Sequence, residues 1–160
     1  MPGVDLCIIY PSSQNKYQGE YVTQIIKTST PGKERAQLSK AIIITIRAFM
    51  RKKEPDKETK DILAFIILAL RRISEGIDQS VLAWEKRDYW LKADKYRMEW
   101  QWTGEFSQDL DNAFQENDWG TITQIFMTIM EKFKNIKVSD RHRMGEPWHG
   151  AFQEYQSESR

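Results

Sequence analysis

The chain has 160 residues, enough for one domain with a sizeable core but too few for two. Apolar residues make up 40% and charged residues 29%, a mixture that excludes an intrinsically disordered chain. The net charge of +1 excludes an overall field that attracts nucleic acid or a membrane, and a single cysteine excludes an internal disulfide. One cysteine is typical of a reducing compartment, so we expect a cytoplasmic protein. The longest apolar run, residues 62–70, is far shorter than the roughly 20 residues of a membrane span.

Residues 1–30 show no sustained periodicity and predict an irregular N-terminal arm. Within the arm, residues 4–10 are apolar and predict either a short strand or an extended clip on the core. Cys7 belongs to this apolar stretch, and we expect it to be packed rather than reactive.

The first helix is predicted to begin at Thr30-Pro31, because Thr is a good N-cap and Pro at the first helical position costs no hydrogen bond. It is predicted to run to about Lys53 and to stop before Pro55. Its apolar face consists of Leu38, Ile42, Ile46, Phe49 and Met50.

A second helix is predicted to start after Asp56, a good N-cap, and its wide apolar face indicates a central position. No clear stop follows before Gly104 or Asn117-Asp118, although one uninterrupted helix would be about 90 Å long. We therefore expect a break, and the candidates are Gly76, Arg87-Asp88 and Thr103-Gly104. A break near Arg87 predicts an up-down four-helix bundle, and one at Gly104 predicts a long projecting helix.

The last helix is predicted after Asn117-Asp118 and ends near Asn135, with Asp118 as its cap and residues 121–124 as a competing capping box. After Ser139 the periodicity is lost. The fold class is therefore all-α: a bundle of four to five helices over residues 31–136, with the N-terminal arm before it and an irregular C-terminal tail over residues 137–160.

Four basic residues form a row along the first predicted helix, which spans residues 31–53 and is labelled α1. We call this row the α1 stripe, and its members are Lys33, Lys40, Arg47 and Arg51. Spacings of seven, seven and four place these side chains on one line opposite the apolar face. The α1 stripe predicts a nucleic-acid-binding surface that follows phosphates, and the alternative is an ordinary solvated helix face. Ile44 falls inside the row, and its expected exposure is a weak sign of a contact.

Residues 84–106 predict a helix with aromatic side chains on two faces. One face continues the core and holds Trp84, Leu91, Met98, Trp102 and Phe106. The second face is a predicted partner-binding surface, because Tyr, Trp and Arg are enriched at interface hot spots and aromatic rings suit unpaired bases. The alternative is a helix packed on both sides within the same chain. The predicted partner-binding residues are Tyr89, Trp90, Tyr96, Arg97 and Trp100.

The tail contains both histidines. The spacing of His142, Glu146 and His149 matches no zinc pattern, and the acidic residues 109–118 lack the EF-hand pattern, so we expect no metal and no cofactor. Arg143 and His149 are separated by five residues, which is similar to the Arg–His spacing of the HEPN ribonucleases. The resemblance implies acid–base chemistry at His149 and a phosphate contact at Arg143, although Met144, Gly145 and Pro147 depart from that family's helical motif.

These features lead us to expect a non-catalytic helical interaction subunit of a larger assembly, one that contacts the nucleic-acid backbone. In size and helicity it is similar to small subunits of ribonucleoprotein machines, including the small subunit of multi-subunit CRISPR effector complexes. The expected partners are other protein chains and RNA or single-stranded DNA. The alternatives are a HEPN-like ribonuclease that uses Arg143 and His149, and a helical homodimer with a structural or regulatory role.

Overall fold

The computed structural model of the protein describes residues 30–160, which form helices and connecting turns and contain no strand. The expected arm and Cys7 lie outside the described residues. The helices are α1 (Pro31–Met50), α2 (Lys57–Glu85), α3 (Trp90–Trp100), α4 (Trp102–Gln115), α5 (Trp119–Lys132) and α6 (Ala151–Glu158). Only Gln101, itself in a right-handed helical conformation, separates α3 from α4, so the two form one interrupted segment. The predicted all-α bundle of four to five helices is confirmed.

Helix α1 begins as its cap predicts. The Thr30 side chain accepts a hydrogen bond from the Lys33 backbone N–H, and Pro31 occupies the first helical position. The helix ends at Met50, three residues before the predicted end, because the N–H groups of Arg51 and Lys52 bond to carbonyls only three residues back. Such bonds tighten and close the last turn of a helix.

Helix α2 is the centre of the bundle and packs against α1, α3, α4 and α6. It begins with a reciprocal capping box: the Asp56 carboxylate accepts from the Thr59 N–H, and the Thr59 hydroxyl accepts from the Asp56 N–H. Residues 62–70 are all buried, so this stretch meets neighbours on every side rather than on one face. The expected central position of this helix is confirmed.

The close contact between α2 and α4 depends on small side chains. A Cβ atom added to Gly104 would lie 2.8 Å from the Ser74 hydroxyl oxygen, so only glycine fits there without displacing that hydroxyl. Three residues later, the Ser107 hydroxyl donates to the Ile67 carbonyl at 3.1 Å. Gly104 is therefore a packing position inside α4, and the candidate break at Thr103-Gly104 is not used, since the interruption lies at Gln101.

Helices α2 and α4 end in the same way. Asp88 and Asn117 have φ angles of 62° and 56°, the left-handed conformation that commonly terminates a helix. At each end the next residue's N–H reaches back five residues: Tyr89 to Trp84 and Asp118 to Ala113, both at 2.9 Å. These hydrogen bonds form Schellman motifs and turn the chain sharply. Of the three candidate breaks, Arg87-Asp88 is the one that lies in the turn after α2, and α2 passes through Gly76 without interruption.

The C-terminal segment contains a helix that periodicity did not reveal. Residues 133–150 form turns and irregular backbone, and α6 follows and packs on α2. Ala151 and Tyr155 are the buried side chains of α6, and the Phe152 N–H donates to the Asp61 carboxylate of α2 at 2.9 Å. This segment is thus attached to the central helix.

Candidate functional site

The α1 stripe is interrupted in the folded protein. Lys33, Lys40 and Arg51 are exposed, but the Arg47 guanidinium donates to the Val138 carbonyl at 3.0 Å and lies 3.5 Å from the Asp140 carboxylate. The expected exposure of Ile44 is wrong, since this side chain is only 3% exposed. The predicted nucleic-acid-binding residues therefore divide into three exposed cations and one cation that attaches the C-terminal segment to α1.

The exposed apolar residues concentrate at one place, the turn between α2 and α3. Within residues 30–160, the exposed large hydrophobic side chains are Met50, Leu82, Tyr89, Trp90, Leu91, Met98 and Met127. Five of these seven, Leu82 to Met98, lie at the end of α2, in the turn that follows it or on α3. We define the α2–α3 corner as residues 82–98. Clustered exposed apolar groups, unlike isolated ones, indicate an interaction surface.

The two faces predicted for residues 84–106 are not continuous in the structure, because a turn separates α2 from α3. Leu91 and Met98 are expected in the core but are 85% and 74% exposed, so that prediction is wrong for both. Helix α2 ends at Glu85 and α3 starts at Trp90 in a new direction, so the 100° phase cannot be carried across the turn. Trp102, beyond the second interruption, is buried as expected.

Tyr96 and Trp100 pack within the chain. The Arg35 guanidinium of α1 lies 5.4 Å from the Tyr96 ring centre and 5.0 Å from that of Trp100, and it donates to the Tyr96 hydroxyl. The Trp84 and Tyr96 rings pack edge-on, with their centres 4.8 Å apart. Burial raises the pKa of Tyr96 above its ordinary value, which keeps the phenol neutral. These two rings thus join α3 to α1 and α2.

Arg97 is held by two carboxylates, Glu85 at 2.6 Å and Asp94 at 2.7 Å. Their hydrogen bonds raise the pKa of the guanidinium, which keeps Arg97 charged, and the two carboxylates balance that charge within the fold. Among the predicted partner-binding residues, Tyr89 and Trp90 are the ones whose rings are exposed, at 55% and 57%.

Four cations belong to the same stretch of chain as those two rings, and Lys92 and Lys95 line the same surface as they do. Lys86, Arg87 and Lys95 are exposed, and none of them has a carboxylate within 4.0 Å among residues 30–160. The Lys92 ammonium lies 4.5 Å from the centre of the Trp84 ring. An open groove of about 710 Å³ follows this surface, and it is lined by Asp88, Tyr89, Trp90, Leu91, Lys92 and Lys95.

The tail does not assemble the residues expected of a ribonuclease motif. Arg143 and His149 are both exposed and lie on turns outside any helix. His149 lines a cleft of about 550 Å³ with Lys57 and Lys60, and Arg143 is not part of its wall. No group of three metal-ligating side chains is placed to hold an ion anywhere in residues 30–160.

Two of the acidic residues before α5, Asp111 and Asp118, have structural partners. As predicted, Asp118 caps α5 and accepts from the Thr121 N–H at 3.1 Å, and this contact and that of the Thr121 hydroxyl lower its pKa. Asp111 accepts from the Tyr155 hydroxyl and lies 3.6 Å from Arg71. The burial of Tyr155 raises the pKa of its phenol, so it acts as a neutral donor to Asp111.

No protein-family description, curated protein or solved structure matches this chain. Over the described part of the chain, none of the helices has the length and apolar character needed to cross a membrane. The function must therefore be inferred from the surface itself.

Proposed function

We propose that this protein is a non-catalytic helical subunit that contacts the nucleic-acid backbone, and that the α2–α3 corner is its main contact surface. The observation that carries the proposal is the combination, at one corner, of exposed aromatic rings with cations that have no carboxylate partner in residues 30–160.

The apolar side chains of the corner are exposed although the core of the protein is well closed. The large side chains of the core are shielded from water, and Phe65, Phe126 and Leu38 are among those fully buried. A protein with such a core has no packing need to leave Trp90 and Leu91 in water. Their exposure at one corner costs solvation free energy that a bound partner would recover.

The corner also carries a surplus of positive charge. Glu85 and Asp94 are both used by Arg97, which leaves Asp88 as the unpaired carboxylate of the corner among the described residues. This one carboxylate is outnumbered by four cations of the corner, which are Lys86, Arg87, Lys92 and Lys95. A local positive surplus on a protein of net charge +1 favours a negatively charged partner.

The α1 stripe supplies a second, weaker set of cations. Lys33, Lys40 and Arg51 remain exposed and able to reach phosphates, whereas Arg47 is used within the fold. We therefore propose the three exposed residues as auxiliary contacts. The geometry does not favour the ribonuclease alternative, because Arg143 and His149 lie on irregular backbone and Arg143 is not part of the cleft that His149 lines.

The test is fluorescence anisotropy of labelled single-stranded and duplex RNA across a salt series from about 50 to 200 mM. Three triple variants each remove three positive charges. The corner variant is Lys86→Gln, Arg87→Gln, Lys95→Gln. The stripe variant is Lys33→Gln, Lys40→Gln, Arg51→Gln. The matched control is Lys53→Gln, Lys137→Gln, Arg141→Gln, all of them exposed.

We expect affinity to fall steeply with salt, and the corner variant to reduce the salt slope by about 0.7 for each phosphate that it no longer neutralises. The stripe variant should have a smaller effect, and the control should bind like the wild type. Absence of binding by the wild type at low salt overturns the proposal. A mass of twice 18.9 kDa that the variant Leu91→Ala, Met98→Ala reduces to one chain would then support the homodimer alternative.

A further inference from the structure

We propose that the α2–α3 corner takes single-stranded RNA, with Tyr89 and Trp90 stacking on unpaired bases while Lys92 and Lys95 hold phosphates. This inference rests on the proposed function and specifies the strand state of the ligand and the residues that read it.

The two rings are exposed but stand on a fixed backbone. Tyr89 donates its N–H to the Trp84 carbonyl at 2.9 Å, and its own carbonyl accepts from the Ala93 N–H at 3.0 Å. It therefore belongs both to the Schellman motif that ends α2 and to the first turn of α3. A nucleobase that stacks on these rings therefore orders little additional protein backbone, because the backbone at Tyr89 has already lost its conformational entropy on folding.

The groove beside the rings joins the two kinds of contact that a single strand needs. Tyr89 and Trp90 form part of its wall, and Lys92 and Lys95 line the same space of about 710 Å³. Aromatic rings that stack on bases and nearby cations that follow the phosphates are the recurring elements of single-strand recognition. The cleft beside Lys57 and Lys60 also contains cations, but it is less suited to stacking because the Phe152 ring in its wall is only partly exposed.

A single strand fits the corner better than a duplex or an acidic peptide. In a duplex the base faces are stacked on one another, so Tyr89 and Trp90 would have no ring to contact. An acidic peptide matches the cations and leaves both rings without a flat partner. Unpaired bases splayed onto aromatic side chains are the usual mode of single-stranded RNA recognition, and for that reason RNA is the proposed ligand.

The deciding experiment measures the anisotropy of a labelled unstructured RNA of about 15 nucleotides, with the same sequence as duplex RNA and as single-stranded DNA. We expect the Trp90→Ala and Tyr89→Ala variants each to weaken RNA binding about 5- to 100-fold. Trp90→Phe keeps a flat ring and should stay within about threefold of the wild type. Met127→Ala removes an equally exposed apolar side chain from α5 and should have no effect.

The outcomes separate this inference from the proposed function. Duplex RNA binding at least about tenfold weaker than the single strand supports the inference, as does loss of binding in the ring variants with unchanged circular dichroism. If duplex and single strand bind equally and the ring variants do not differ, stacking is overturned while backbone binding stands. Binding to DNA but not RNA overturns the choice of RNA. If no nucleic acid binds, both proposals fail.

Discussion

The indole N–H of Trp148 donates to the Glu58 carboxylate at 2.9 Å, and this single contact joins two residues that are 90 positions apart. The second oxygen of Glu58 accepts from the Lys52 ammonium at 2.5 Å. The α1–α2 turn, the first turn of α2 and the C-terminal segment therefore meet at one carboxylate. Trp148 is buried, whereas the Glu58 side chain is 42% exposed, so this hydrogen bond lies at the edge of the core.

Replacing Glu58 by Ala is expected to lower the free energy of unfolding by about 1 kcal/mol, because it removes the hydrogen bond that the indole N–H of Trp148 donates. Glu58→Gln keeps an acceptor oxygen at the same place and should lose less. Urea denaturation followed by circular dichroism measures both. Glu54→Ala, an exposed carboxylate in the same turn, is the control and should change stability by less than about 0.5 kcal/mol. Equal losses for Ala and Gln at position 58 would contradict the role of the hydrogen bond.

The lowered pKa of Glu58 predicts that this carboxylate accounts for part of the loss of folding stability at low pH. Hydrogen bonds from Lys52 and then Trp148 lower the pKa of Glu58 from its ordinary value of 4.5. Its contribution to stability is therefore fully present above pH 4.5 and is lost as the pH falls through the lower folded value. Urea unfolding between about pH 7 and pH 3 should show a shallower loss of stability for Glu58→Gln than for the wild type.

Glu34 is a control, because its pKa is shifted in the opposite direction to that of Glu58. Burial raises its pKa above 4.5 despite the neighbouring Arg72, so its ionisation opposes folding as the pH rises through that region. Glu34→Gln should therefore make stability rise more steeply with pH than in the wild type. If stability changed with pH equally steeply in Glu58→Gln and Glu34→Gln, the opposite pKa shifts of these two carboxylates would be refuted.

Local signals in the sequence predict helix starts well, because a cap needs only residues within one turn. Thr30, Asp56 and Asp118 are all predicted caps, and each side chain accepts a backbone hydrogen bond from three residues later. Periodicity likewise identifies the core of α2. These features depend on neighbours in the chain, so they can be read before any tertiary contact is known.

Features that depend on distant contacts could not be predicted in this way. One left-handed residue, Asp88, resets the helical phase and exposes Leu91 and Met98, which periodicity placed in the core. Helix α6 carries too few apolar residues to show a stripe, and it forms against the surface of α2. The partners of Arg47 lie 91 and more residues away, so nothing near it in the sequence shows that it is used.

Arg47 and Lys40 belong to the same predicted stripe but should respond differently to substitution. Arg47→Ala removes the donor to the Val138 carbonyl and the ion pair with Asp140, and it should lower the free energy of unfolding by about 1–2 kcal/mol. Lys40→Ala removes an exposed cation and should stay within about 0.5 kcal/mol of the wild type. Chemical denaturation compares them. Equal stability of both variants would show that the Arg47 contact adds nothing to the fold.

The left-handed residue that ends α4 offers a test of the turn geometry. Asn117→Ala forces a Cβ-bearing residue without a local polar side chain into φ 56°, and it should lower the free energy of unfolding by about 1 kcal/mol. Asn117→Gly should be at least as stable as the wild type, because glycine adopts this conformation freely. Asn135→Ala, at an exposed turn without positive φ, is the matched control for thermal or urea unfolding. Destabilisation by Gly as large as that by Ala would contradict the interpretation.

Asp88 combines this turn geometry with the charge of the α2–α3 corner. Asp88→Gly retains the left-handed turn and removes the carboxylate that lines the groove of Tyr89 and Trp90. We expect unchanged or higher stability together with RNA binding about two- to fivefold tighter at low salt, an increase that shrinks as salt screens the charge. Asp88→Asn also removes the charge and should reproduce the increase in affinity. If Asp88→Gly weakens binding while unfolding as the wild type does, Asp88 contacts the ligand directly and the assignment of the corner charges is wrong.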